Sequence, residues 1–226
     1  MTVLATSSDV LPALVRRITG DEKHAPSAHS TLDVLWVLYD RILRITPGTV
    51  DEPGRDRFLL SKGHGPAAYY AVLAAKGFFP AEWLDHTGQW DSPLGWHPDR
   101  MLIPGVEIGS GSLGHGLGLA VGTALGLRAQ GLPDARTFVL LGDAELDEGS
   151  NFEAIAYAAA TSLPLTAIVV DNQSSTHGWP GGIANRFVGW DISIVDGRDH
   201  GVLERALTPR PAHPRVVIAT VEPKGA

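Results

Sequence analysis

The chain alternates short apolar runs with longer segments in which apolar residues recur every three or four positions. The short runs lack a clean alternation with polar residues, and they predict β-strands at 57–60, 137–141, 165–170, 190–195 and 215–221. The longer segments predict helices at 30–43, 66–77, 113–131, 150–162 and 201–207. Strands of this kind, separated by helices, are typical of a largely parallel sheet that is covered on both faces. The pattern therefore predicts an α/β fold with a mainly parallel central sheet.

Several polar, proline and glycine residues suggest where these helices begin and end. Ser30 or Thr31 is a plausible cap for the first helix, Pro66 lies near the first turn of the second, and Gly77 ends it. Residues 88–112 are rich in glycine, proline and tryptophan and predict a long irregular segment. A loop of this length within a compact domain is usually functional.

The helix predicted at 113–131 contains glycines at four-residue spacing: Gly114, Gly118, Gly122 and Gly126. Each glycine weakens a helix by up to about 1 kcal/mol relative to alanine. Four glycines on one face therefore predict the close approach of another backbone.

Composition narrows the class of protein. The 226 residues are 44% hydrophobic, which is enough for one core, so we expect a single domain over 1–226 with residues 1–20 as a loose N-terminal extension. The net charge of −7 and the absence of a basic stripe disfavour nucleic acid and anionic membranes as partners. There are no cysteines, which excludes disulfides, thiolate nucleophiles and thiolate metal sites.

Targeting signals are not evident. The first 20 residues place their only basic pair after the apolar stretch, so they do not read as a signal peptide. The longest apolar tract, 113–127, contains a histidine and is too short to span a bilayer. We therefore expect a cytoplasmic protein.

Polar residues with metal-binding side chains follow two of the predicted strands. Asp143 follows 137–141 and Asn172 follows 165–170, so one strand–helix–strand unit separates them and their side chains can meet at adjacent strand ends. A carboxylate, an amide oxygen and a backbone carbonyl suit Mg²⁺ or Ca²⁺. The alternative is that Asp143 caps the next helix while Asn172 forms a turn.

Beyond this spacing, the segment that opens with "GDAELDEG" and closes with "VVDNQSS" resembles the thiamine diphosphate motif, which begins GDG and ends in Asn roughly 30 residues later. The segments "RDRFLLSKGHGPAAYY", "GWHPDRMLIPGVEIGSGSLGHGLGLAVG" and "VGWDISIVDGRDH" are similar to the N-terminal, diphosphate-binding half of transketolases, in the same order. The resemblance covers about residues 20–222. It implies a three-layer α/β/α thiamine diphosphate-binding fold.

The resemblance also implies roles for individual residues. Asp143 and Asn172 would bind Mg²⁺ (or Ca²⁺) together with the main-chain oxygen of Ser174, and His64 would donate to the diphosphate. His97 and His24 match histidines that face the substrate. The remaining cofactor contacts would come from two segments, Gly111, Ser112, Leu113 and His115 in the first and Gly142, Ala144 and Glu145 in the second.

The acidic residues after Asp143 have a simpler interpretation. Carboxylates complement the dipole at a helix start, and this effect is enough to explain the presence of Glu145 and Asp147. Glu148 matches a glutamate that reaches towards the dimer interface in transketolases.

The implied activity is the transfer of a two-carbon ketol unit from a ketose donor to an aldehyde acceptor. In the family, the pyrimidine-binding domain completes the active site, and this sequence contains only the diphosphate half. We therefore expect one subunit of a split transketolase that is active only with a separate C-terminal, pyrimidine-domain subunit, as an α₂β₂ heterotetramer. The alternatives are another thiamine diphosphate-dependent acyloin or deoxyxylulose-type synthase subunit, or a non-catalytic decayed subunit.

Three departures from the family pattern bear on these alternatives. Ala144 replaces the second glycine of the GDG motif, the loop after Asn172 is about ten residues shorter than usual, and "VEPKGA" ends where the family continues "KGKG". Together they favour a specialised ketol or acyloin transfer over a housekeeping pentose-phosphate substrate.

Overall fold

The computed structural model describes residues 5–20, 25–175, 178–208 and 212–224, apart from the side chain of Ser27. Five strands form one sheet: β1 (Arg57–Leu60), β2 (Thr137–Gly142), β3 (Thr166–Asp171), β4 (Asp191–Asp196) and β5 (Arg215–Thr220). Their order is β1-β2-β3-β5-β4, and every pair is parallel. The prediction of a parallel α/β sheet is confirmed, because each predicted strand lies within about one residue of its position.

Helices cover both faces of this sheet. They are α1 (Leu11–Val15), α2 (Ala25–Val37), α3 (Ala67–Ala75), α4 (Gly116–Ala129), α5 (Gly149–Ala160) and α6 (His200–Leu207). Alternate strand residues point to opposite faces. Phe58 and Leu60 pack with α2, α3 and α6, whereas Leu59 packs with α4 and α5. Two apolar layers therefore enclose the sheet, and the three-layer α/β/α prediction is confirmed.

The first long helix begins earlier than its sequence suggests. Because α2 starts at Ala25, Ser30 and Thr31 are buried inside it, and the Thr31 hydroxyl donates to the Ala28 carbonyl at 3.0 Å. The expectation that either residue caps the helix is therefore wrong. The regular helix ends at Val37 and continues as a π-helical turn, Leu38–Ile42.

The N-terminal segment is packed onto the fold. Leu11 of α1 is buried, and the amide of Ala5 donates to the carbonyl of Ala75 at the end of α3, 3.0 Å away. The expectation of a loose extension is therefore wrong for residues 5–20.

Other boundaries agree with the pattern. Gly77 adopts φ +77° directly after α3, the left-handed conformation that ends many helices. Residues 88–112 are irregular throughout, as predicted. No helix in the described part of the chain combines the length and apolarity needed to cross a membrane.

Candidate functional site

Asp143 and Asn172 follow neighbouring strands at the carboxyl edge of the sheet. Strands β2 and β3 are paired up to Gly142 and Val170, and the Asp143 amide donates to the Val170 carbonyl at 3.2 Å. Both side chains are buried, at 3% and 2% relative exposure. The fold therefore places a carboxylate and an amide at adjacent strand ends, where ligands of open parallel sheets bind.

The Asp143 carboxylate organises the loop after β3. One oxygen accepts the amides of Ser174 and Ser175, at 2.5 and 3.1 Å, and the other accepts the Ser174 hydroxyl at 2.5 Å. Its side chain makes no helix-capping bond. The alternative in which Asp143 serves as a cap is therefore wrong.

The amide oxygen of Asn172 lacks a hydrogen-bond partner although it is buried. Such an acceptor is costly unless another group satisfies it. The neighbouring carboxylate and backbone oxygens make a hard-oxygen set that fits a divalent cation. Within the described residues no group of three His, Asp or Glu side chains could hold a metal.

Glu145 joins three segments that, by the resemblance, would contact the cofactor. Its carboxylate accepts the Ser61 hydroxyl, the Gly114 amide at 3.0 Å and the Gly142 amide at 3.3 Å. The Ser61 oxygen in turn accepts the Gly116 amide at 3.0 Å. Burial raises the pKa of Glu145, and these hydrogen bonds only partly oppose that effect.

Glu145 and Asp147 lie in the first turn of the short 3₁₀ helix Ala144–Asp147, as the helix-start interpretation expects, but both also have specific partners that it did not include. Helix α5 begins only at Gly149, Glu145 is buried in the network above, and Asp147 forms an ion pair with Arg186 at 2.7 Å. Glu148 is exposed at the N-cap of α5 and makes no capping bond through its side chain.

Lys62, which the sequence alone does not single out, lies beside this network. Lys62 packs its aliphatic carbons near Gly142. Burial lowers the pKa of Lys62 to about 8, while the charges of Asp143 and Glu145 oppose that shift. The lysine of "SKGHG" could have been noticed in the sequence, because a cation so soon after a buried strand is unusual. Its role could not be inferred, because that role depends on contacts with another loop.

His64 and His97 lie together at the same edge. Their ring centroids are 5.0 Å apart in an edge-to-face arrangement, and both side chains are exposed. Gly111 adopts φ +124°, and a Cβ there would lie 2.7 Å from the His97 ring. A Cβ on Gly63 would lie 2.5 Å from the Gly111 nitrogen, so the "SKGHG" and "GSGSLGHGL" loops meet backbone to backbone.

His115 belongs to a different cleft. With Ser112 and Gly114, it lines an apolar depression of about 620 Å³ between α4 and α5, while Asp143 lines a smaller one of about 250 Å³ beside the loop after β3. Leu113 is exposed. His24 lies outside the described residues.

The glycines of this region differ in their surroundings. A Cβ at Gly114 would lie 2.5 Å from the Glu148 Cβ, and one at Gly116 would lie 2.2 Å from the Ser61 side chain. By contrast, a Cβ at Gly118 or Gly122 would meet nothing within 4 Å, and one at Gly126 would meet only a flexible glutamine. Close approach is therefore present at the start of α4 and absent along the rest of its glycine face.

Ala144 does not need the conformational freedom of glycine. It opens the 3₁₀ turn Ala144–Asp147, and it is not among the described non-glycine residues with positive φ, which are Ser162 and Gln173. An alanine is therefore compatible with the backbone at this position.

Comparisons with known proteins show which family has this arrangement. Residues 17–212 match the family model described as transketolase, thiamine diphosphate binding domain. The chain is 33% identical to the 6-deoxy-6-sulfo-D-fructose transketolase subunit SqwG of Clostridium sp. (strain MSTE9), over 94% of this chain and 84% of that one. It is 41% identical to one subunit of the apulose-4-phosphate transketolase of Actinobacillus succinogenes, over 66% of this chain and 53% of the relative.

One relative carries a different name. The chain is 55% identical to "Ferredoxin fas2" of Rhodococcoides fascians, over 95% of this chain and 72% of the relative. Cysteine thiolates hold the iron–sulfur clusters of ferredoxins, and this sequence has no cysteine. The name of that relative therefore has no counterpart in the residues of this chain.

Solved structures agree with the sequence matches. The transketolase of Pichia stipitis in complex with sedoheptulose-7-phosphate superposes with a TM-score of 0.77 at 27% identity, over 95% of this chain and 36% of that one. The Campylobacter jejuni transketolase gives 0.76 at 26% identity, over 93% and 37%. The fold and site define a thiamine diphosphate-binding α/β domain. The chain belongs to the transketolase family, and it spans little more than a third of these solved chains.

Proposed function

We propose that this chain is the thiamine diphosphate- and Mg²⁺-binding subunit of a two-component transketolase-like enzyme, forming a single diphosphate-binding domain. The enzyme transfers a two-carbon ketol unit from a ketose donor to an aldehyde acceptor. The observation that carries the proposal is the buried, unpartnered amide oxygen of Asn172 beside Asp143. A bound cation would satisfy that oxygen and neutralise the neighbouring carboxylate.

In this proposal three groups hold the metal: the side chains of Asp143 and Asn172 and the main-chain oxygen of Ser174. This hard-oxygen set would suit Mg²⁺ together with phosphate oxygens and water, and it would also accept Ca²⁺. The turn that brings Ser174 to Asp143 passes through Gln173 at φ 55°, so the ligand segment already curves around the carboxylate.

Other residues bind and orient the cofactor. His64 donates to a diphosphate oxygen, and Lys62 adds positive charge nearby. Backbone groups of Gly111, Ser112, Leu113 and His115 would contact the rings of the cofactor, and Gly142, Ala144 and Glu145 shape the tip that carries Asp143. Glu145 acts mainly by fixing Ser61, Gly114 and Gly142, since its own oxygens are already bonded to these residues.

When bound, thiamine diphosphate supplies the nucleophilic carbon and the electron sink for cleavage and formation of a carbon–carbon bond. His97 and His24 are proposed to face the sugar-like substrate and to hold or move protons on its hydroxyl groups. The contact between the rings of His64 and His97 links the diphosphate end of the site to the substrate end.

The proposed partner is a separate pyrimidine-domain subunit, in an α₂β₂ assembly. Two relatives are named as subunits of transketolases rather than as whole enzymes, which supports a second component. The surface around α4 also supports it, because Gly118 and Gly122 face open space beside the exposed side chains of Leu119 and Tyr157. Apolar surface of this kind is typical of an interface.

Calorimetric titration of thiamine diphosphate at saturating Mg²⁺ tests the proposal, using the chain with its candidate partner. We expect the parent to bind and both Asp143→Asn and Asn172→Ala to lose at least tenfold in affinity. Gln130→Ala, at an exposed position after α4, is the control and should bind like the parent. An Asn172→Ala variant that keeps the parent's affinity would refute the metal set.

The reaction is tested separately with the assembled complex. Ketol transfer from a ketose donor to an aldehyde is expected. Turnover with pyruvate alone would favour the acyloin or deoxyxylulose-type alternative, and cofactor binding without any turnover would favour the decayed subunit.

A further inference from the structure

The loop between β3 and β4 is fastened to the tip of β2 by one buried arginine. Arg186 is only 6% exposed and lies at the end of the 3₁₀ turn Ile183–Arg186. One guanidinium nitrogen donates to the Asp147 carboxylate at 2.7 Å, and another donates to the Leu146 carbonyl. Both acceptors belong to the turn that directly follows Asp143.

Two aromatic residues enclose the same guanidinium. Its central carbon lies 3.9 Å from the centroid of the Trp179 ring and 5.3 Å from that of Phe152 in α5. The two aromatic rings are 5.2 Å apart. Because aromatic faces attract a cation most strongly when water is excluded, this arrangement keeps the arginine in place and covers its ion pair.

The ion pair continues to the proposed metal ligands. The second oxygen of Asp147 accepts the Ser175 hydroxyl at 2.8 Å, and the Ser175 amide donates to Asp143 at 3.1 Å. A continuous set of contacts therefore runs from Arg186 through Asp147 and Ser175 to Asp143.

Without such a contact, ordering this loop would cost considerable conformational entropy. Gly178, Gly181 and Gly182 all adopt positive φ, and glycine loses more conformational freedom than any other residue when it is fixed. In the sequence, Ser174 precedes these glycines and Arg186 follows them. The contacts of Arg186 therefore close the loop by tying its second half to the segment that its first half contacts.

We propose that Arg186 is a positioning residue for the cofactor site: through Asp147 and under Trp179, it holds Ser174 and Ser175 against Asp143 before any ligand binds. The consequence of this arrangement is a preformed set of oxygen ligands for the metal, and this consequence rests on the proposed function. Residues that do not contact the metal but orient its ligands typically contribute 10–100-fold to metal affinity.

Hydrogen exchange of the ligand-free chain tests the contact itself. Arg186→Gln should speed exchange of the Ser174 and Ser175 amides at least tenfold while leaving the core of β3 protected. Arg186→Lys keeps the charge and should recover part of the protection. In a double-mutant cycle, Arg186→Gln and Asp147→Asn should be non-additive, because they remove the same interaction.

Two further variants separate this role from general stability. Trp179→Ala removes a side chain that is 40% exposed, so the chain should fold and still show faster exchange at Ser174 and Ser175. Glu204→Gln breaks the Arg41–Glu204 ion pair elsewhere on the surface, 2.8 Å long, and should change nothing at these amides.

The consequence for the cofactor is measured by titrating thiamine diphosphate with Mg²⁺. Arg186→Gln should weaken binding roughly 10–100-fold, and Glu204→Gln should bind like the parent. Unchanged exchange at Ser174 and Ser175, or exchange that rises equally along β3, would overturn the proposal, as would unchanged affinity despite faster exchange. If the parent itself binds no cofactor, the proposed function fails, while the exchange data still decide whether Arg186 fixes the loop.

Discussion

Asp56 gives the prediction whose magnitude follows most directly from the structure. Its carboxylate is fully buried at the start of β1 and accepts from two arginines. Arg44 donates through its amide at 2.9 Å and its guanidinium at 2.8 Å, and Arg136 through its amide at 3.0 Å and its guanidinium at 2.6 Å. Burial alone would raise the pKa of Asp56, but these hydrogen bonds outweigh it and bring the pKa to about 2.

The shift converts into a pH-dependent stability. Lowering the pKa of Asp56 from 3.8 to about 2 corresponds to about 2 kcal/mol, at about 1.36 kcal/mol per pKa unit. Because the folded-state pKa is below the unfolded-state value, this stability is fully present above pH 3.8. It is lost as the pH falls towards 2.

Asp56→Asn tests this reasoning. At pH 7 we expect the free energy of unfolding to fall by roughly 3 kcal/mol, because two arginines lose a buried partner. The measurement is urea unfolding of parent and variant between pH 7 and pH 2.5. The difference between the two proteins should shrink by roughly 1–2 kcal/mol over the acidic part of that range, because the folded-state carboxyl is only partly protonated at pH 2.5.

Asp85→Asn is the matched control. Asp85 pairs with Arg17 at 2.5 Å on the surface, where solvent screens the interaction, so its removal should barely alter unfolding. A parent–variant difference at Asp56 that stays constant from pH 7 to pH 2.5 would refute the argument, because it would mean that the arginines do not hold the pKa of Asp56 down.

Three other substitutions test the site. Glu145→Gln should lower the free energy of unfolding by about 1–2 kcal/mol in urea titrations, since the new amide cannot accept from Gly142; an unaltered midpoint would contradict this. Ala144→Gly should cost up to about 1 kcal/mol and leave thiamine diphosphate affinity unchanged in calorimetry, whereas tighter binding would show that the methyl group crowds the diphosphate. Leu119→Gln should weaken assembly with the partner in sedimentation experiments without lowering the melting temperature, and equal assembly would remove α4 from the interface.

The elements of the fold could be predicted because their signals are local. Strand runs such as 137–141 are apolar apart from Thr137, and the structure buries each of their residues. The positions of Asp143 and Asn172 could also be predicted, since one strand–helix–strand unit in a parallel sheet brings successive carboxyl ends to the same edge. Helix α2 was harder, because the polar residues Ser30 and Thr31 resemble caps although they lie inside it.

The contacts between loops could not be predicted. Glu145 and Ser61 are 84 residues apart, and Arg186 and Asp147 are 39 apart, so no local pattern relates them. Their charges suggested only exposed residues or a helix start. Their real partners depend on how three loops converge at one edge, and that arrangement follows from the packing of the whole sheet.

Burial has opposite outcomes for the carboxyl groups of Asp56 and Glu145. At the amino end, Asp56 is matched by arginines, and its pKa is lowered, so its charge stabilises the fold. At the carboxyl end, burial raises the pKa of Glu145 and lowers that of Lys62 to about 8, and Asn172 keeps an unpartnered oxygen. Each of these groups would be better solvated in the unfolded chain, so burying them costs stability. Perturbed pKa values and unsatisfied polar atoms cluster where a protein binds or reacts. The unpartnered Asn172 oxygen beside Asp143 supports the proposed metal site independently of any resemblance.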